Sequence, residues 1–156
     1  MENLTKTCCF TGHRMLSEQA RDQLPLIIHN KIFELTARNC QTFVTGGALG
    51  FDTIAARVIC QAKEYFPYIR FVMVLPCKTQ ADRWPEQDKI IYHHCIKAAN
   101  KVIYVGEEYT SGCMFARNRK MVDMSDICVA YCRSQRGGTA YTVNYAQRKN
   151  LELHFL

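Results

Sequence analysis

The feature that most constrains this chain is a rhythm. Apolar runs of four to seven residues, most of them stopped by glycine or proline, alternate with longer segments whose apolar residues recur at helical spacing. Thr7–Thr11 ends at Gly12, Thr42–Thr45 at Gly46-Gly47, and Ile69–Leu75 (IRFVMVL) at Pro76. Lys101–Val105, Asp126–Tyr131 and Leu151–Phe155 are further runs of this kind. Such short runs read as strands, and a nearly unbroken one as a strand covered on both faces.

The segments between them carry the helical period. From Leu16, apolar residues at 20, 24, 27, 28, 32 and 35 lie on one helical face, and Pro25 either starts the main helix or kinks it. Phe51, Ile54, Ala55, Val58, Ile59 and Ala62 form the clearest amphipathic pattern. Ile90, Ile91, Cys95 and Ala98 mark another helix after the polar loop Pro76–Pro85. Two more are expected around 113–124 and from Gly137-Gly138 to about Asn150. Strands alternating with helices predict βαβ units. The expected fold class is therefore α/β, a Rossmann-like three-layer sandwich with a mainly parallel sheet. The 156 residues suit one domain spanning 1–156, with no internal repeat or linker.

Composition narrows the function classes. With 48% hydrophobic and 22% charged residues, disorder is excluded. No apolar run approaches the ~20 residues of a membrane span, and MENLTKTCCF lacks the features of a signal peptide. A cytoplasmic location and no membrane partner are expected. The nine cysteines include no CxxC pair, and most sit inside apolar runs such as TCCF, ARVIC and DICVAYC. They read as reduced core residues, and neither a metal site nor a cofactor is expected. The net charge of +6 permits an anionic partner.

In open parallel sheets, ligands bind beyond the carboxyl ends of the strands. Three strand ends here carry small or polar residues: Gly12-His13-Arg14, Gly46-Gly47-Ala48-Leu49-Gly50-Phe51-Asp52, and Arg136-Gly137-Gly138-Thr139. Glycines let backbone N–H groups approach a phosphate, and a helix N-terminus adds partial positive charge. Neither GxGxxG nor a P-loop is present. Asp52 either caps its helix or accepts from a ribose hydroxyl. His13 is a candidate acid, base or phosphate donor, or simply a turn residue. Trp84 stacks on a base or plugs the loop that carries it. Arg117 shares a helical face with Met114, Met121 and Met124, which turns it inward toward a phosphate. Asn118 follows it, Arg14 and Arg136 are further cations for the same ligand, and Tyr141 is a second candidate base contact. Asp123 and Asp126 lie just before the fifth strand, as candidate acids or as caps.

TGHR, TGGALGFD, the spacing Gln80-x3-Trp84, RNRKMVDMSD and GGTAYTVNYA occur in this order from about Cys8 to Leu153. Together they resemble the SLOG superfamily, which groups the DNA-processing protein A and Lonely-guy proteins, and within it the small YpsA-like branch. The resemblance implies a Rossmann-like fold that binds a nucleotide or nucleotide-derived small molecule, and it makes a homo-oligomer an expectation. It casts Gly137-Gly138-Thr139 as a phosphate-binding turn. Lonely-guy enzymes cleave a ribose–base bond with an arginine and a glutamate. Arg117 matches the arginine, but the helix Thr139–Ala146 carries no acid, and Asp52 substitutes only where the pocket geometry allows it. Three readings follow, in order of preference. The first is a nucleotide-binding or sensing module. The second is an N-glycoside or nucleotide hydrolase using Arg117 with Asp52 or Asp123. The third is a DNA-binding protein using the RNRK cluster.

Overall fold

The computed structural model describes residues 4–156. Six strands form one sheet in the order β4-β3-β2-β1-β5-β6, and every neighbouring pair is parallel. Along the chain the elements are β1 (Lys6–Gly12), α1 (Glu18–Ala37), β2 (Cys40–Thr45), α2 (Phe51–Tyr65), β3 (Arg70–Leu75) and α3 (Glu86–Ala98). β4 (Lys101–Tyr104), α4 (Cys113–Asp123), β5 (Ile127–Tyr131), α5 (Gly138–Arg148) and β6 (Glu152–Phe155) complete the fold. The expected α/β sandwich is present, and the described sheet is wholly parallel.

Strand alternation sorts the side chains onto two helical layers. Cys8, Phe10, Phe43, Phe71, Met73 and Leu75 pack with α1, α2 and α3. Cys9, Val44, Val72, Val74 and Cys128 pack with Met121 and Val122 of α4 and Ala146 of α5. Seven of the nine cysteines are buried, and none forms a disulfide. They fill the core as small hydrophobes.

Pro25 does not start α1; it lies inside the helix, which begins seven residues earlier at Glu18. Ser17 caps that start by accepting the N–H of Ala20 at 3.1 Å. Pro25 is tolerated because it and Arg21 sit on the exposed face, where the carbonyl of Arg21 that lost its helical donor can turn to water. Among the described residues, no helix is long and apolar enough to cross a membrane.

From β1 the chain builds β2, β3 and β4 on one side, then returns to place β5 and β6 on the other. The order reverses between β1 and β5. There the turns after the two strands diverge toward opposite layers and leave a crevice at their carboxyl ends.

Candidate functional site

A cleft of about 250 Å3 occupies that crevice. Thr11, Gly12, His13 and Arg14 line it from the end of β1, and Ala48 and Asp52 from the start of α2. Met114, Arg117 and Asn118 come from α4, Gly138 and Thr139 from α5, and Gln80 and Trp84 from the loop between β3 and α3.

The β1 and β2 turns lock together through missing side chains. A β-carbon on Gly12 would sit 2.2 Å from the Phe51 ring, so only glycine lets that ring close over the turn. Phe51 is fully buried, stacks on Tyr131 at 6.1 Å and 10°, and donates its N–H to the His13 carbonyl at 3.1 Å. Gly50 has φ +80°, and a β-carbon there would meet the Arg14 carbonyl oxygen at 2.2 Å. Both conditions exclude other residues.

His13 joins the two sides of the crevice. Its Nε2 accepts the backbone N–H of Arg133 at 2.7 Å. Burial, and then the Arg133 charge, hold its pKa below the usual histidine value. The neutral ring therefore carries its proton on Nδ1.

Asp52 is 7% exposed and accepts the N–H of Ala48 at 3.2 Å. It braces the turn before α2 and leaves the helix cap to Gly50, which has no side-chain capping bond. Burial pushes its pKa up to about 6, against the opposing pull of the Arg117 charge and the Ala48 N–H. Desolvation outweighs attraction here, so the acid lies where protonation changes near neutral pH.

Arg117 is 5% exposed, and the protein holds its Nε and Nη1 donors. Nη1 donates to the Gly46 carbonyl and to Gln80 Oε1 at 3.4 Å, and Nε to Asn118 Oδ1 at 2.8 Å. Nη2 lies 3.6 Å from Met114 Sδ. Nε and Nη1 thus grip the protein itself, and the guanidinium brings its charge to the cleft. Burial lowers its pKa, while Asp52 draws it back up.

The start of α5 is open. Gly137, at φ +98°, precedes the helix, which has no side-chain cap and no acid in its first turn. A β-carbon on Gly137 or Gly138 would meet nothing within 4 Å. The first N–H groups of the helix therefore border the cleft with its positive dipole end uncompensated.

Ten of the candidate residues converge on the cleft, and seven do not. Gly46 leaves room for the Arg117 side chain, Gly47 packs against Leu75, Met73 and Tyr92, and Gly137 stands before α5 outside the lining. Arg136 is exposed outside it as well. Tyr141 turns to Phe115, ring centroids 4.6 Å apart, and accepts from Arg119 at 3.0 Å. Asp123, at the far end of α4, accepts the Tyr145 hydroxyl at 2.7 Å. Asp126 accepts the Thr7 N–H at 2.9 Å, at the opposite end of the sheet. Both acids are structural for that reason. The RNRK stretch is not one surface, because Arg117 is buried and Arg119 is drawn to Tyr141. Trp84 packs edge-on against Tyr92 at 5.1 Å, as a plug of its loop would, and also lines the cleft. Thr11, Gln80 and Met114 are additional lining residues. The Gln80–Trp84 spacing and the Met114–Arg117 helical face were their signals in the sequence. Among the described residues, no three His, Cys, Asp or Glu side chains converge as a metal would require.

The arrangement can accept a hydroxyl proton at Asp52, attract an anion at α5 and Arg14, and cover a flat ring with Trp84. The family described as the YspA SLOG family (YpsA) matches residues 10–155. The SPbeta prophage-derived protein YoqJ of Bacillus subtilis is 30% identical over 143 residues, covering 84% of this chain and 82% of its own. DNA processing protein A from Streptococcus pneumoniae superposes with a TM-score of 0.72 at 17% identity, over 97% of this chain and 50% of that one. The corresponding protein from Helicobacter pylori, described by its single-stranded DNA binding mode, gives 0.67 at 20% identity, over 96% and 64%. At these identities the solved structures share the fold, and this chain spans only half to two thirds of their length.

Proposed function

The chain belongs to the YspA SLOG family, and from that premise we propose that its cleft binds a nucleotide or nucleotide-derived small molecule as a sensing or binding module. The observation that carries this reading is the open N-terminus of α5 set across the cleft from the buried carboxyl of Asp52. A phosphate on the free N–H groups of Gly138 and Thr139 would meet the helix dipole and the Arg14 charge. A ribose beside it would offer its hydroxyls to Asp52, and a base would lie against Trp84. Isothermal titration with AMP tests this reading. Saturable binding is the expected result, and no heat at about millimolar nucleotide overturns it.

Asp52 also supports a second reading. A buried acid with a pKa of about 6 beside the Arg117 charge suits acid–base chemistry at a glycosidic bond. It is the only carboxyl lining the described cleft, whereas the usual glycosidase pattern uses two. Chromatography of AMP incubations decides between binding and cleavage. Free base above the level of an Asp52→Asn control would make the protein a hydrolase. DNA binding is the least supported reading, because RNRK does not form a continuous basic face.

A further inference from the structure

The cleft does not stop at Trp84. A second lobe of about 650 Å3 adjoins it, and Arg14, Gln80, Trp84 and Met114 line both. The outer lobe adds Thr79, Asp82 and Arg83 from the loop after β3, and Tyr109 from the loop after β4. The two lobes therefore share one wall, to which Trp84 and Arg14 both belong.

Size separates their roles. The inner lobe, at about 250 Å3, is below the ~300–1,000 Å3 typical of pockets that enclose a whole small ligand. It suits a ribose-phosphate with its base reaching toward Trp84. The outer lobe is more than twice as large and repeats the same kinds of group. Tyr109 is an exposed aromatic face, and Arg83 is an exposed cation. Among the described residues, neither Arg14 nor Arg83 forms an ion pair. One acid, Asp82, lies among these groups, so the cations prevail in the outer lobe.

We infer that the ligand has two ring-bearing halves joined through a phosphate linkage, with Arg14 at the linkage and the second half between Trp84 and Tyr109 under Arg83. This rests on the nucleotide reading of the inner lobe and extends it to the ligand's other end. Flat rings gain from aromatic faces without regard to base identity. A linkage phosphate keeps its charge and gains from a cation that both lobes share. Two chemistries carry such halves: a free dinucleotide joined 5′ to 5′, and the end of a nucleic-acid strand joined 3′ to 5′.

Three probes test the inference by isothermal titration: AMP, diadenosine diphosphate, and the 3′–5′ dinucleotide pApA. At least one two-halved probe is expected to bind about tenfold or more tighter than AMP, and the tighter of the two identifies the source. In the Arg83→Ala/Tyr109→Ala double variant that advantage should vanish, with AMP affinity changed by less than about twofold. Both residues are exposed, and an unchanged thermal midpoint verifies the fold of the variant. AMP binding as tightly as both longer probes overturns the inference and leaves the nucleotide reading standing. Equal weakening of all three probes in the double variant also overturns the inference. If none of the three binds, both readings fall.

Discussion

At Gly50 a β-carbon would stand 2.2 Å from the Arg14 carbonyl oxygen, whereas at Gly137 and Gly138 it would meet nothing within 4 Å. These positions belong to the two glycine-rich turns that border the same cleft, after β2 and after β5. The first is closed. Arg117 fills the space over Gly46, Phe51 closes on Gly12, and Asp52 is tied to Ala48. The second presents the start of a helix to open space. In a parallel sheet, one kind of turn can serve packing or recognition. What differs is whether a neighbouring side chain has already occupied the room that the glycines leave. Here the closed turn holds the charged groups in place, and the open one leaves its backbone donors free.

The comparison can be broken from the closed side. Arg117→Ala removes the guanidinium that holds the Gly46 carbonyl and leaves Asp52 without its facing charge. We expect a loss of about 3–5 kcal/mol in urea unfolding, as for one member of a buried charge pair. Arg117→Ala with less than about 1 kcal/mol lost would mean that the turn does not depend on this side chain.

Asp52 sharpens the comparison through pH. Its native pKa of about 6 lies above the ordinary 3.8. Between those values the native state holds a proton that the unfolded state has lost, so stability falls as pH rises from about 4 to 6 and then levels. The full change corresponds to about 3 kcal/mol. Urea midpoints for the wild type and Asp52→Asn, measured from pH 4 to 7, should therefore differ in slope through this window. Parallel curves would show that the carboxyl titrates normally.

Gly50→Ala combines a left-handed φ with a backbone collision and should cost at least about 2 kcal/mol. In a chain of this size that lowers the thermal midpoint by roughly 4–8 °C. The smallest effect on stability belongs to the open turn. Proline is tolerated at the first position of a helix, where its missing N–H has no helical partner. Gly138→Pro should shift unfolding by less than about 0.5 kcal/mol. It also removes one donor from the α5 end, and AMP binding should weaken by about tenfold or more, as for a hydrogen bond to a charged group. A midpoint that falls as far as that of Gly50→Ala would erase the distinction between the turns.

Much of the fold was legible in the sequence because the strands are short, the four central ones are largely buried, and most of the runs are punctuated by glycine or proline. Those properties act locally. β2 begins at Cys40, two residues before the expected Thr42, where burial rather than pattern sets the boundary. Pro25 was ambiguous because its cost depends on whether the Arg21 carbonyl can reach water, which only the helix orientation decides. In the cleft, His13, Asp52 and Arg117 were legible as strand-end or helix-face residues. That Arg117 grips Gly46, Gln80 and Asn118 was not, since those partners meet only across layers. For the same reason Gly46 and Gly137 looked equivalent as residues and differ as sites.

Trp84 is the chain's single tryptophan, and it stands on the wall that both lobes share. Its emission therefore reports from one point, with no background from another indole. Any molecule that enters either lobe alters the surroundings of that fluorophore, so occupancy can be followed without a label in the native protein.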